Sequence, residues 1–270
     1  MFPSSRTTFR PLIAPLLCVA VMGACASVTE SNARIGNYGS ITISGKLIPG
    51  NRVAASVQAV FFQGRSASAP NSALQQGDQC AYAFLDTATT GATGSLKVGE
   101  SLALTFAGTT VNMPFSQTYS RYEPVAGATL SYAVGDAASV RVPGAPGTFP
   151  SSAISIQLAE PIIPGPISLP ATGAPMDVTW NGTNDATAAV ILSVRYGATP
   201  TATVPNEQIY CALKDDGAFQ IPATGLVPFL ASPSALRSVA LVRWRTQEVR
   251  PDTLSLLHIV STVDTVVRFP

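Results

Sequence analysis

Along most of this chain apolar and polar residues alternate with a period of two. In the stretch ATAAVILSVRYG, Val190, Leu192, Val194 and Tyr196 share one face, and Ser193 and Arg195 lie on the other. In SVALVRWRTQ, Ala240, Val242 and Trp244 face one way, and Arg243 and Arg245 face the opposite way. Met176, Val178 and Trp180 form a third set. This period sets one side of an extended strand against a core and the other toward polar surroundings. Further strands are predicted over 41–47, 53–62, 80–85, 102–106, 130–134, 140–142, 154–158, 209–213 and 256–260. Turn-rich segments such as GRSASAPNS, DTATTGATG and VPGAPGTFPSS separate them. Helical spacing supports a single short helix, over 223–230.

Strands at short intervals without crossover helices imply antiparallel sandwiches or a barrel. The segment AEPIIPGPISLPATGAP holds five prolines between Pro161 and Pro175. Proline removes ladder donors, so this segment reads as an edge or a linker and marks a boundary. The expected fold is all-β, with two immunoglobulin-like antiparallel β-sandwich domains over 39–163 and 164–270. One large β-sandwich is the alternative. A faint internal echo accompanies the division: Cys80 is followed by Asp86 and GSLKVG, and Cys211 by Asp216 and GAFQIP.

The first residues break the pattern. Residues 1–10 carry two arginines and no acid, and PLIAPLLCVAVMGACAS is an apolar run ending at small residues. That order is the order of a secretory signal. The run is short for a membrane-spanning helix, which takes about 20 apolar residues, and Pro11 and Pro15 weaken it further. Met22-Gly23-Ala24-Cys25 resembles a bacterial lipobox, with Met where Leu is usual and Gly where Ala or Ser is commoner. The resemblance implies a signal peptide over 1–24, cleavage before Cys25, a lipid on its sulfur and acylation of the new amine. The body would then be held at a lipid bilayer through acylated Cys25, with 25–38 as a lipidated N-terminus and tether. Ala26, in place of the Asp that marks inner-membrane retention in enteric bacteria, favours the outer membrane, with the body periplasmic or surface-facing. Ordinary cleavage after Ala26 would instead give a secreted protein.

Composition fits many short strands joined by turns and excludes one partner class. Hydrophobic residues make up 46% and charged residues only 11%, against about a quarter charged in an average globular chain. Arg6 and Arg10 are the only charges ahead of Cys25, and taking them from the 16 basic residues leaves 14 against 15 acidic, a net of −1. Nucleic-acid affinity requires several basic contacts to phosphates, so no nucleic-acid partner is expected.

The second half, with DVTW, VILSVRY and IYCALKDDGAFQIPATGL, resembles a C-terminal module of uncharacterised secreted proteins of environmental bacteria. The shared features are a Trp strand, a central Cys strand and an Asp-Gly turn leading to Pro. The resemblance implies a β-sandwich and brings no activity with it.

Catalytic motifs are not apparent. The one histidine, His258, alternates with Leu256 and Val260 and reads as a half-buried strand residue with a local hydrogen bond. Neither a G-x-S-x-G elbow nor an S-x-x-K pair accompanies it. Histidine zinc motifs need two histidines, and Cys80 and Cys211 have no near cysteine neighbour. Asp86, Asp136, Asp185 and Asp215-Asp216-Gly217 read as turn chemistry, with calcium at Asp185 or Asp215-Asp216 as the sharper alternative. Asn181-Gly182-Thr183 matches a glycosylation acceptor only formally. No catalytic, metal or cofactor site is therefore expected. Tyr119, Arg121 and Tyr122 form the candidate platform for a sugar or peptide, and Trp180 and Trp244 read as core.

Cys80 and Cys211 sit in apolar strands, and oxidation is permitted outside the cytoplasm. A bridge needs α-carbons within about 7 Å, and two separate sandwiches keep their central strands apart. Two buried free thiols are the expectation, with the Cys80–Cys211 disulfide the disfavoured alternative. The expected function is that of an exported, membrane-anchored lipoprotein, non-catalytic, binding a protein or glycan ligand or serving the envelope structurally. The alternative is a carboxylate-dependent glycan or peptide hydrolase, which needs two carboxylates converging in a cleft.

Overall fold

A computed structural model describes residues 36–63, 77–84, 96–183, 185–199 and 201–269. The signal segment, Cys18, Cys25, Asp86 and most of the expected tether lie outside the described residues. Among the described residues fifteen strands run in chain order, beginning β1 (Asn37–Ile48), β2 (Arg52–Gln63), β3 (Gln79–Phe84), β4 (Ser101–Phe106), β5 (Thr109–Ser116), β6 (Arg121–Tyr122), β7 (Leu130–Tyr132) and β8 (Ala137–Val142). They continue with β9 (Ser152–Gln157), β10 (Met176–Thr179), β11 (Ala188–Tyr196), β12 (Glu207–Lys214), β13 (Ala218–Ile221), helix α1 (Ala223–Ala231), β14 (Ser238–Val249) and β15 (Ser255–Arg268). The protein is all-β, as the alternation implies. The helix falls where helical spacing was found and buries Leu226 and Phe229.

The alternation decides which way each strand faces. In β4, Leu102, Leu104 and Phe106 are buried between half-exposed Ser101, Ala103 and Thr105. Three strands escaped the pattern, one of them the two-residue β6. β5 carries Pro114 near its end, and β13 is only four residues long. β15 runs well beyond 256–260 because β14 continues beside it, pairing Ser238 with Arg268 through Val249 with Leu257. β1 begins at Asn37, and Tyr38 is buried to 1% exposure. The tether therefore ends earlier than expected.

Thirteen strands make one sheet, ordered β3-β12-β11-β14-β15-β1-β2-β6-β5-β4-β8-β9, with β7 also paired to β2; β10 and β13 form a separate ladder. The sheet folds over on itself. Ile41, Ile43, Phe61 and Ile259 from its middle pack against Leu102, Leu104, Val140 and Ile156 from its far end in one cluster. β9 contacts β14 and β15 without pairing to either. A second cluster sets Val190, Leu192, Val194, Ile209 and Leu241 against Val178 and Ile221 of the small ladder and Phe229 of α1. Gly39 lets β1 lie close against the first cluster, since a Cβ there would stand 2.6 Å from the Phe61 ring.

The core divides at the proline-rich stretch while the sheet runs on. The first cluster extends to Ala159 in chain order and the second begins at Ile162. Yet β15, from the end of the chain, lies parallel to β1, with Asn37 opposite Ser255 and Gly45 opposite Val263. It also lends Leu257, Ile259 and Val263 to the first cluster. Conversely, β3 leaves the first half and pairs with β12.

That crossing overturns the expectation of free thiols. Cys80 lies directly opposite Cys211 in the β3–β12 register, their α-carbons are 4.0 Å apart, and the two sulfurs are bonded. The geometric objection presumed strands held in separate sheets, and β3 removes it by docking on the second half. The loop closed spans 131 residues, which in chain-entropy terms stabilises by roughly 5 kcal/mol before strain.

Two outcomes follow for the intact protein. Thiol labelling in denaturant without reductant leaves both Cys80 and Cys211 unmodified. A protease site inserted between Ala171 and Thr172, once cut, yields a chain that migrates whole on a denaturing gel without reductant and as two fragments with it. Two fragments without reductant would contradict the bridge.

Candidate functional site

Charge is scarce in this chain, and where it is buried it is organised. β14 carries Val239 and Leu241 into the second core, and the same face continues as Arg243 and Arg245, which are 0% and 3% exposed. The expectation that these arginines take the polar side is corrected: β14 is covered on both faces, and Trp244 is buried as well. A strand buried on both faces reads as a near-continuous apolar run, and SVALVRW was that signal.

The Arg243 guanidinium uses its whole donor set. Nε donates to Asp215 Oδ2 at 2.7 Å and Nη2 to Oδ1 at 3.0 Å. Nη1 donates to the Pro161 and Glu160 carbonyls at 2.6 and 3.4 Å, and Nη2 also reaches the Asn181 carbonyl. Asp215 accepts in addition from Trp180 Nε1 at 2.8 Å and Thr183 Oγ1 at 2.7 Å. Burial pushes the Asp215 carboxyl up, but the hydrogen bonds from Arg243 and Thr183, the Arg243 charge and the Trp180 bond outweigh it and hold the group below its ordinary value.

Beside it, Arg245 donates to both Glu160 oxygens at 2.8 and 3.2 Å, and to Asp185 Oδ2 and Thr187 Oγ1, each at 2.6 Å. The Thr187 backbone N–H and the Arg245 bond bring Asp185 down to about 2. Asp185, Asp216 and Asp136 take the turn roles expected of them, whereas Asp215 is a buried ion partner. Asn181 spends its side chain on the Pro161 carbonyl and the Ile163 N–H. Of the carboxylates in the calcium alternative, Asp185 and Asp215 already have arginine partners, and Asp216 accepts from the Ala218 N–H of its own turn. Among the described residues no group of three or more His, Cys, Asp or Glu side chains could hold a metal.

His258 is buried to 2% exposure rather than half-buried. Its Nε2 meets Thr246 Oγ1, and Nδ1 has no partner among the described residues. Burial lowers its pKa against the opposing charge of Glu248.

The structure splits the Tyr119, Arg121, Tyr122 platform. Tyr122 is a core residue at 0% exposure, corrected from the platform reading. Its hydroxyl accepts from the Val98 N–H at 2.7 Å and donates to the Gly99 carbonyl at 2.8 Å, and its ring packs on Phe61 and Phe115. Tyr119 and Arg121 do come together. The Arg121 guanidinium lies 4.8 Å from the centroid of the Tyr119 ring, which is 61% exposed. Arg121 also pairs with Glu123 at 2.8 Å.

This pair stands beside a gap in the sheet. On the side of β2 away from β1, Val53 to Ala55 pair with β7 and Ala59 pairs with Tyr122 of β6. Ser56, Val57 and Gln58 have no strand partner there among the described residues. The chain leaving β6 swings outward instead, through Pro124 and a turn in which the Ala128 N–H donates to the Val125 carbonyl and Gly127 adopts φ +86°. A groove of roughly 500 Å³ results, lined by Thr42, Ser44 and residues 55–58 from the sheet and by Arg121, residues 123–128 and Leu130 on the other side. Thr42 stands opposite Gln58 and Ser44 opposite Ser56. Period two puts these four on the face away from the core.

No protein-family model, curated protein or solved structure matches this chain.

Asp215→Asn strands the Arg243 charge in the core and costs about 3–5 kcal/mol of stability, read by urea denaturation. Acid acts in two steps. His258 is depressed in the folded state, so stability declines as pH falls below 6.5, its ordinary value. Asp185 and Asp215 are depressed as well, so their contribution is complete above 3.8 and is lost as pH falls below it, that of Asp185 by about 2. Melting temperature measured against pH checks both windows, and a flat profile below 3.8 would contradict the ion-pair assignment.

Proposed function

We propose that the chain is an exported lipoprotein, held at a bacterial outer membrane by acyl chains on Cys25, whose all-β body binds a ligand without transforming it. The groove over the sheet gap carries this reading. Ligand sites are concave, largely preformed and furnished with a few convergent polar groups, and this groove gathers hydroxyls, an amide and an ion pair over an unpaired strand segment. The buried carboxylates favour binding over hydrolysis. A glycosidase acid needs a raised pKa, whereas Asp185 and Asp215 are lowered by the arginines that hold them.

The anchor follows from the positive start, the apolar run and Met22-Gly23-Ala24-Cys25. Among the described residues no helix is long and apolar enough to cross a membrane. Acyl chains supply that hold at about 0.8 kcal/mol per buried methylene, and two chains bind stably where one is marginal.

Cys25→Ser abolishes lipidation and moves the protein out of the membrane fraction. Intact-mass analysis of the mature wild-type chain gives an N-terminus at Cys25 with added acyl mass. An N-terminus at Ser27 with no added mass would overturn the lipoprotein reading.

A further inference from the structure

The ends and the lining of the sheet-gap groove select a ligand class. From Ala55 to Ala59 the gap runs about 13 Å along β2. Both ends are closed, one by the β2–β7 pairing and the other by Tyr122 of β6. A peptide that adds as a strand needs an open edge to run along, and here β6 and β7 occupy the positions it would continue into. A compact ligand, about two linked rings long, fits between them.

The lining sets the chemistry. Thr42, Ser44, Ser56 and Gln58 offer hydroxyls and an amide, each able both to donate and to accept. Arg121 adds donors and Glu123 acceptors, and at 2.8 Å their charges cancel. The groove therefore has no net charge with which to hold an anion or a cation. Tyr119 adds an exposed aromatic ring beside Arg121. Planar polar side chains next to a flat apolar face suit a molecule with hydroxyls around its edge and C–H groups on its faces.

From this we infer that the groove binds a neutral glycan, one or two pyranose units at a time. The inference rests on the binding-protein reading and names its ligand class. Gln58 and Glu123 bond ring hydroxyls, Arg121 holds Glu123 in place while donating, and Tyr119 stacks at the rim.

The test uses the full-length protein, purified in a detergent without a sugar headgroup. Ligand-observed saturation-transfer NMR is run with maltose, cellobiose, lactose and chitobiose. At least one disaccharide receives saturation, with a dissociation constant on the order of 1 mM. Gln58→Ala and Glu123→Gln each weaken that binding about tenfold. Val204→Ala, at an exposed position outside the groove, leaves it unchanged, and all three variants keep the wild-type melting temperature. No saturation transfer to any of the four sugars overturns the inference. So does binding that ignores both groove substitutions, or displacement of the sugar by a short extended peptide with higher affinity. Membrane fractionation and intact mass are read separately, so loss of the anchor and loss of the glycan remain distinguishable.

Discussion

The passage of the chain from one core to the other depends on the Arg243 guanidinium. Backbone carbonyls must be paired wherever they are buried, and the first residues of the segment joining the halves, 158–162, are largely buried outside any named strand. Proline removes N–H groups there but leaves the carbonyls. Arg243 answers those of Glu160, Pro161 and Asn181 at once. A guanidinium suits the task because it presents five donors in a fixed plane. Asp215 makes the burial tolerable by supplying the countercharge. Nearby, the Tyr132 hydroxyl donates to the Ala159 carbonyl and Ser261 Oγ accepts its N–H. The apolar clusters divide where these polar groups sit.

The cost of removing charge from water explains why the ion pairs are saturated rather than merely close. A buried pair with an unfilled lone pair or donor is a net loss, and one with every site filled can approach neutrality. The Arg243–Asp215 pair is filled by Trp180, Thr183 and three carbonyls. Such a network does little for stability relative to an apolar core, but it admits few alternative arrangements. The proline-rich connection is thereby held in one path, and β15 can return to pair with β1. The disulfide does the same for β3, fixing an edge strand whose only strand partner among the described residues is β12.

Legibility in the sequence followed the range of the interaction. Alternation is local, so β2, β4, β11, β12 and β14 were readable from neighbouring residues, as was α1. Pairing between distant segments is not local. Nothing in residues 37–45 names 255–263 as their partner, and without the β3–β12 register the Cys80–Cys211 bridge could be argued only from an assumed domain boundary. The arginines failed for a related reason: alternation says which residues share a face, not whether a second layer covers it. Tyr122 was singled out because it stood near Tyr119, but β6 turns successive side chains to opposite faces. Tyr122 went to the core and Arg121 to the rim.

The groove lies where regularity stops. β6 and β7 are short, and between them Pro124 and Gly127 shape a detour that leaves part of β2 without a neighbour. Polar residues on that face need no strand to satisfy them, since Thr42, Ser44, Ser56 and Gln58 meet water as readily as a ligand. A continuous strand across Ser56–Gln58 would complete the ladder and close the groove, so backbone pairing and concavity compete at this point. The folded-over sheet tolerates the lost pairing because Val57 and Ala59 still pack into the first core beneath it. Rigidity on one side and an unfilled face on the other give a preformed groove, and a preformed surface spares any ligand the ordering cost that a mobile one would impose.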